Sequence, residues 1–257
     1  MGVVNVTPDS FSDGGRFLEP VAAVAQGLRL AAEGADLLDV GGQSTRPGSR
    51  PIPAEEELRR VMPVVAALCA QTSVPVSIDT CRAAVAREAL AAGAEVLNDV
   101  TALGGDPEMV PLAAEGGCGV CAMHMQGTPQ TMQQAPRYDD VVEDVLRYLG
   151  ERRDALIAAG IARPRIALDP GIGFGKTLQH NLALLSHAWR LHDLGCAVLV
   201  GHSRKRFIGE VLGDPAADRT AGTIGVAVSL VRQGVQVLRV HDVAAVRQAL
   251  LLHEASR

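Results

Sequence analysis

Residues Arg165–Lys176 read RIALDPGIGFGK, and the fold is legible in those twelve letters. The first part, Arg165–Leu168, is a short aliphatic run of the kind that makes a strand buried on both faces. The second part, Asp169–Lys176, breaks that strand with Pro170 and three alternating glycines, leaving an acid and an amine on a turn-rich loop.

The same pattern recurs along the chain. Aliphatic runs at Gly2–Val6, Asp36–Val40, Val74–Ile78, Glu95–Asn98, Gly119–His124, Ala197–Gly201 and Gln236–Val240 bring the number of expected strands to eight. Each runs into polar or glycine-rich text: NVTPDSFSDGG, DVGGQSTRPGS, SIDT, LNDV, MHMQG, DPGIGFGK, GHSRK and RVHDV. Between them lie stretches with apolar residues at helical spacing, as in Val21–Glu33, Ala54–Ala70, Arg82–Ala92 and Asp139–Ala159. Pro53 with Glu55, Glu56 and Glu57 suits a helix start, and Gly93 and Gly160 suit helix stops. A parallel crossover needs a dozen or more residues, and the strand ends recur at about 34 residues per unit. These features predict an α/β fold of one domain over residues 1–257, a closed (β/α)8 TIM barrel. A doubly wound open sheet is the competing architecture, but no GxGxxG follows the first strand. Met1 stands almost inside that strand, so either the start is short or the barrel floor is sealed by side chains other than those of a lead-in segment.

Composition excludes several function classes. The 257 residues carry 24 basic and 29 acidic groups, a net charge of -5, which offers no electrostatic footprint for nucleic acid. No apolar run reaches the roughly 18 residues that span a bilayer, and the start lacks the marks of a secretory signal, so the expectation is a soluble cytoplasmic protein with no membrane partner. Five scattered cysteines point to reduced thiols. Cys118 and Cys121 form a CxxC that could suggest zinc or redox chemistry. On a strand, however, residues three apart face opposite sides, which favours two small core residues. Lysine is scarce: Lys176 and Lys205 are the only two among the 24 basic residues, a pattern that fits either places where a compact ammonium is needed or chance composition.

In a parallel barrel the C-terminal strand ends face the active site. Asp79, Asn98 and Asp169 put acceptors at that mouth, and Lys205, Arg239 and His241 put donors beside them. Such a pocket suits one ligand with two ends. A carboxylate can accept two coplanar hydrogen bonds from the amidine-like edge of a flat heterocycle. Ser203, Arg239 and His241 follow strands seven and eight, where this fold often binds phosphate, while Asn5 and the Thr7–Asp13 loop offer oxygens to Mg²⁺.

In this order and spacing, NVTPDSFSDGG, the STRPG loop, SID, ND, MHMQG, DPGIGFGK, SRK and RVHDV resemble the dihydropteroate synthases over residues 2 to 243. The resemblance implies a usually homodimeric (β/α)8 barrel that joins 6-hydroxymethyl-7,8-dihydropterin diphosphate to p-aminobenzoate and releases diphosphate. It assigns Asp79, Asn98 and Asp169 to the pterin edge, and Lys205 to the pterin ring and the aminobenzoate side. Met123, Phe174 and Gly201 would line the pocket, and Ser203 would lie near the aminobenzoate carboxylate. Thr45 and Arg46 would belong to a mobile second loop, Asn5 would hold Mg²⁺, and Arg239 and His241 would anchor the diphosphate. Asp79, Asp169, Lys205 and Arg239 are the residues expected to carry catalysis. Lys176 reads as a loop-positioning charge. Gln43 departs from the glutamate found in many relatives, and the short lead-in departs from their usual start. Competing readings are a methyltetrahydrofolate-binding methyltransferase module, an aldolase-like barrel with a Schiff base on Lys205, and a catalytically silent pterin-binding paralogue.

Overall fold

The computed structural model describes residues 1–6 and 18–256. Among them, eight parallel strands pair in chain order: β1 (Gly2–Asn5), β2 (Leu38–Gly41), β3 (Val76–Asp79), β4 (Val96–Asp99), β5 (Gly119–Met123), β6 (Ile166–Asp169), β7 (Ala197–Gly201) and β8 (Val237–Arg239). The last strand returns to the first. Val3 N donates to Val240 O at 3.0 Å and Val240 N to Met1 O at 2.9 Å, which closes the barrel as the strand count predicted.

Helices α1 (Leu18–Ala32), α2 (Ala54–Gln71), α3 (Ala83–Ala91), α4 (Met109–Gly116), α5 (Val141–Ala158), α6 (Leu178–Ser186), α7 (Arg206–Leu212), α8 (Thr220–Arg232) and α9 (Val243–Ala255) cover the outside. Their ends follow local chemistry. Asp140 caps α5 by accepting from Val142 N and Glu143 N, and Gly93 and Gly160 follow α3 and α5 with positive φ, as the sequence predicted. None of the described helices is long and apolar enough to cross a membrane.

Alternation along each strand sorts side chains into two cores. Val4, Val40, Ile78, Leu97, Ala122, Leu168, Val200 and Leu238 point outward and are buried against helix residues such as Val61, Val65, Leu68, Val145, Leu149 and Leu230. The inward-facing residues form a separate, smaller cluster low in the barrel, in which Met1, Cys121 and Leu199 pack with Leu37, Ala167 and Val237. This plug is the floor that the sequence left open. Cys118 belongs to the outer core and Cys121 to the inner one, so the CxxC is split across the sheet and both are free thiols.

Candidate active site

Above the apolar floor the inward positions change character. Strand register sets Asp79 between Gly41 and Asn98, Met123 beside Asp169, and Gly201 beside Arg239. A Cβ on Gly201 would stand 3.8 Å from both Asp169 Oδ2 and Arg239 Cβ, so the bare backbone there keeps space over the acid and the guanidinium.

Arg239 organises one side of this chamber. Its Nε donates to Asp39 Oδ2 at 2.6 Å and its Nη2 to Asp79 Oδ2 at 2.9 Å, while Asn98 Nδ2 donates to the same Asp39 oxygen at 3.1 Å. Asp39 is fully buried, and its second oxygen has no partner among the described residues. Two carboxylates around one guanidinium leave a net negative charge in a dry place. Burial, with Asp39 adding to it, pushes the Asp79 carboxyl up to about 7. Burial alone would weaken the hold of Arg239 on its proton, but Asp39 and Asp79 more than offset it and keep the guanidinium charged.

Asp169 and Lys205 form the other side. Asp169 Oδ1 accepts from Gly171 N at 2.7 Å, and burial holds its carboxyl above the usual range even though Lys205 pulls it down. Lys205 Nζ donates to Ile172 O and lies 4.5 Å from the centroid of the Phe174 ring. Burial lowers this ammonium to about 8 against the opposing attraction of Asp169. The other lysine, Lys176, is buried at the end of the same loop.

At the rim, His241 Nδ1 and Ser203 Oγ are 3.0 Å apart, and His241 N donates to the same hydroxyl at 3.2 Å. Burial, with the charges of Arg239 and Arg204 adding to it, lowers His241 to about 4. At neutral pH it is therefore a neutral imidazole with Nε2 left for a ligand, not one of the fixed cations. Arg204 pairs with Asp242, and a cleft of about 370 Å³ opens beside them between α1 and α9, lined by Gln26, Arg29, Glu33 and His241.

The remaining predicted residues stand farther out. Thr45 is half-buried and Arg46 exposed on the loop that joins β2 to α2. This loop leans across the mouth: Gly48 N donates to Pro129 O at 3.1 Å, and Gln130 Nε2 to Ser49 O at 3.0 Å. Gln43 ties the loop's two ends, because its Oε1 accepts from Ile52 N at 3.3 Å, a bond that needs an acceptor but no charge. Asn5 ends β1 half-buried next to Gly41. The Thr7–Asp13 oxygens lie outside the described residues. Among the described residues no three His, Cys, Asp or Glu side chains gather as a metal cage.

Two contributors escaped the sequence reading. Asp39 was quoted at the head of DVGGQSTRPGS without a role, yet it lies between outward-facing Leu38 and Val40, so alternation alone would have turned it into the barrel. His124, in MHMQG, contacts Lys176 across two loops, and nothing in the local sequence announces that meeting.

Comparison with known proteins agrees with this geometry. The family model described as pterin binding enzyme matches residues 1–241. The dihydropteroate synthase of Escherichia coli K12 is 45% identical over 256 residues, covering 100% of this chain and 90% of that protein. A structure of the Xanthomonas albilineans dihydropteroate synthase with 4-aminobenzoic acid superimposes with a TM-score of 0.93 at 52% identity, covering 100% of this chain and 92% of the other. The Yersinia pestis dihydropteroate synthase in a sulfonamide drug complex gives a TM-score of 0.94 at 45% identity, over 100% and 93% of the two chains. With a family match across nearly its whole length and full-length similarity in sequence and structure, the chain belongs to the pterin-binding enzyme family, where it groups with the dihydropteroate synthases.

Proposed function

We propose that this barrel joins 6-hydroxymethyl-7,8-dihydropterin diphosphate to p-aminobenzoate, forming 7,8-dihydropteroate and diphosphate. The observation that carries the proposal is the single chamber in which the acceptors Asp79, Asn98 and Asp169 meet the donors Lys205 and Arg239, with His241 and Ser203 at its rim. A flat bicycle with an amidine-like edge fits the acceptors, and an anionic tail fits the rim.

The roles follow from the groups in place. Asp79 and Asp169 accept from the pterin edge, and Asn98 accepts and donates beside them. Gly201 and Met123 leave and shape the slot for the ring. Arg239 and the Nε2 of His241 meet the diphosphate as its bridging oxygen takes the electron pair of the breaking C–O bond. The two buried carboxylates favour positive charge on the pterin methylene as that bond opens. The aryl amine then adds its lone pair to the methylene and loses a proton. Phe174, Lys205 and Ser203 bound the aminobenzoate side, and the Thr45–Arg46 loop covers it and excludes water. No side chain of the protein need form a covalent bond with substrate.

Mg²⁺ belongs to this proposal through Asn5. A single amide oxygen at a strand end suits a hard cation that takes its other ligands from diphosphate and water, and such an ion would offset charge on the departing group. The proposal also includes a cytoplasmic location and a homodimer, the dimer supported by exposed apolar side chains at Val211, Leu212, Leu251 and Leu252 on α7 and α9.

The test is diphosphate release by the purified protein supplied with the pterin diphosphate and Mg²⁺, with and without p-aminobenzoate. Release that depends on the amine and matches dihydropteroate formed one for one is expected. No release would favour a silent pterin-binding protein. Borohydride treatment in the presence of substrate should leave Lys205 unmodified, and a trapped adduct would favour the Schiff-base reading.

A further inference from the structure

The amine of Lys176 is buried, and among the described residues no carboxylate is in contact with it. It is 3% exposed, and three acceptors surround its three N–H groups: His124 Nδ1 at 3.0 Å, Phe174 O at 3.0 Å and His124 O at 3.5 Å. The Tyr138 ring lies on another side, 6.0 Å from centroid to Nζ. Nothing is left to bind a ligand, so the group does not touch substrate. What it does touch is two loops, one from β5 to α5 and one from β6 to α6.

Those loops are pressed together at two of the second loop's three glycines, Gly171 and Gly175, while Gly173 faces Lys205. Gly171, at φ +68°, lies so close to His124 O that a Cβ would come within 1.9 Å, and a Cβ on Gly175, at φ +62°, would be 2.6 Å from Gln126 O. Tyr138 Oη donates to Gly175 O at 2.8 Å and Gln133 Nε2 to Gly173 O at 2.8 Å, so donors from the first loop satisfy the carbonyls of the second. Thr177 and His180 fix its far end through a reciprocal cap on α6. Between these ties the loop presents Phe174, whose ring lies under Lys205.

We propose that Lys176 is a positioning residue for the aminobenzoate side of the site: by holding Phe174 O and both acceptors of His124, it fixes the Phe174 ring and, with it, the seat of Lys205. These hydrogen bonds do not require the amine to stay fully charged, because a neutral amine still donates. Burial and the Lys176 charge lower His124 to about 3, which leaves its Nδ1 free to accept, and burial lowers Lys176 itself to about 7 with Asp169 opposing. Of the pterin-edge residues, Asp79 and Asn98 lie on strands that this clamp does not hold, and Asp169 is fixed within β6 and adjoins the loop through Gly171 N, so the aminobenzoate side should respond more strongly than the pterin side to its loss.

The inference rests on the proposed synthase reaction, and the wild-type assay separates the two. If wild type shows no amine-dependent release, the reaction itself is wrong. If wild type is active, Lys176→Met tests the clamp. We expect the KM for p-aminobenzoate to rise about tenfold while the equilibrium affinity for 6-hydroxymethylpterin stays within about threefold, as small misplacements of a positioning group erode rate and binding locally. An unchanged KM overturns the proposal. So does an equal loss toward both ligands, which is what a merely loosened fold would give. If Lys176→Met does not fold, Lys176→Gln, which keeps two N–H donors without charge, carries the same comparison. A wild-type measurement stands behind both variants. With two lysines in the chain, selective ¹⁵N labelling gives two Nζ signals, which Lys205→Met assigns. The Lys176 signal should shift when p-aminobenzoate is added to the pterin complex, and a signal that does not move overturns the proposal.

Discussion

The floor and the mouth of this barrel are made by the same eight strands and the same alternation, yet they are chemical opposites. Low in the barrel, Met1, Leu37, Cys121, Ala167, Leu199 and Val237 fill the axis with apolar side chains. A step along the strands, Asp39, Asp79, Asn98, Asp169 and Arg239 take the equivalent inward positions. The floor contributes stability through burial, whereas the mouth holds charges that are costly to desolvate and that stay in place only because they pair. Stability and chemistry are thus layered along one axis, and substitutions should separate them.

The largest effect is expected at the centre of the mouth. Arg239→Ala leaves Asp39 and Asp79 buried without their shared cation and should lower unfolding free energy by about 3–5 kcal/mol in denaturant titrations. It should also weaken diphosphate binding at equilibrium by about 2–4 kcal/mol. Loss of binding without loss of stability would mean that the two carboxylates do not depend on it. Leu199→Ala in the floor should cost about 2–4 kcal/mol of stability by the same titration, through lost burial and a cavity, with kcat/KM unchanged below the melting range. An activity loss there would break the division between layers.

Lys205→Arg preserves charge but replaces a point-like ammonium seated against Ile172 O and Phe174 with a planar fork. Steady-state kinetics should show kcat/KM down about 100-fold, and wild-type behaviour would mean that charge alone suffices. The last effect, graded with pH, is on pterin binding. Asp79 titrates at about 7 in the free protein, and a pterin edge that donates N–H needs the carboxylate form. As pH falls below that point the ligand must expel a proton, so pterin affinity should weaken by up to about tenfold per pH unit. Asp79→Asn should flatten this limb, and a wild-type affinity that is constant from pH 5 to 7 would place the acceptor role elsewhere.

Much of this division was legible in the sequence, for reasons that particular residues make plain. The aliphatic runs identified the strands because buried parallel strands need apolar side chains on their outward face, as Val40, Ile78 and Leu168 show. The bounds drifted where chemistry intrudes. The second and third strands were expected at Asp36–Val40 and Val74–Ile78, but their ladders run Leu38–Gly41 and Val76–Asp79. Asp79 and Asp169 read as loop text by hydropathy, yet they remain inside the sheet because their side chains turn toward the axis.

The polar strand ends located the mouth, and they brought Asp79, Asn98, Asp169, Lys205 and Arg239 to it. Which acid would meet which base was not legible, since Asp39 and Arg239 are 200 residues apart and pair only through closure of the barrel. The same holds for Lys176 and His124, which meet because two glycines let separate loops touch.

The most direct measurement is a crystal structure of the protein with 6-hydroxymethylpterin. The bicycle should lie in the mouth with its amidine-like edge on Asp79, Asn98 and Asp169 and its hydroxymethyl group turned toward Arg239 and His241. A pterin bound away from those three side chains, or turned with its hydroxymethyl group toward the floor, would contradict the account.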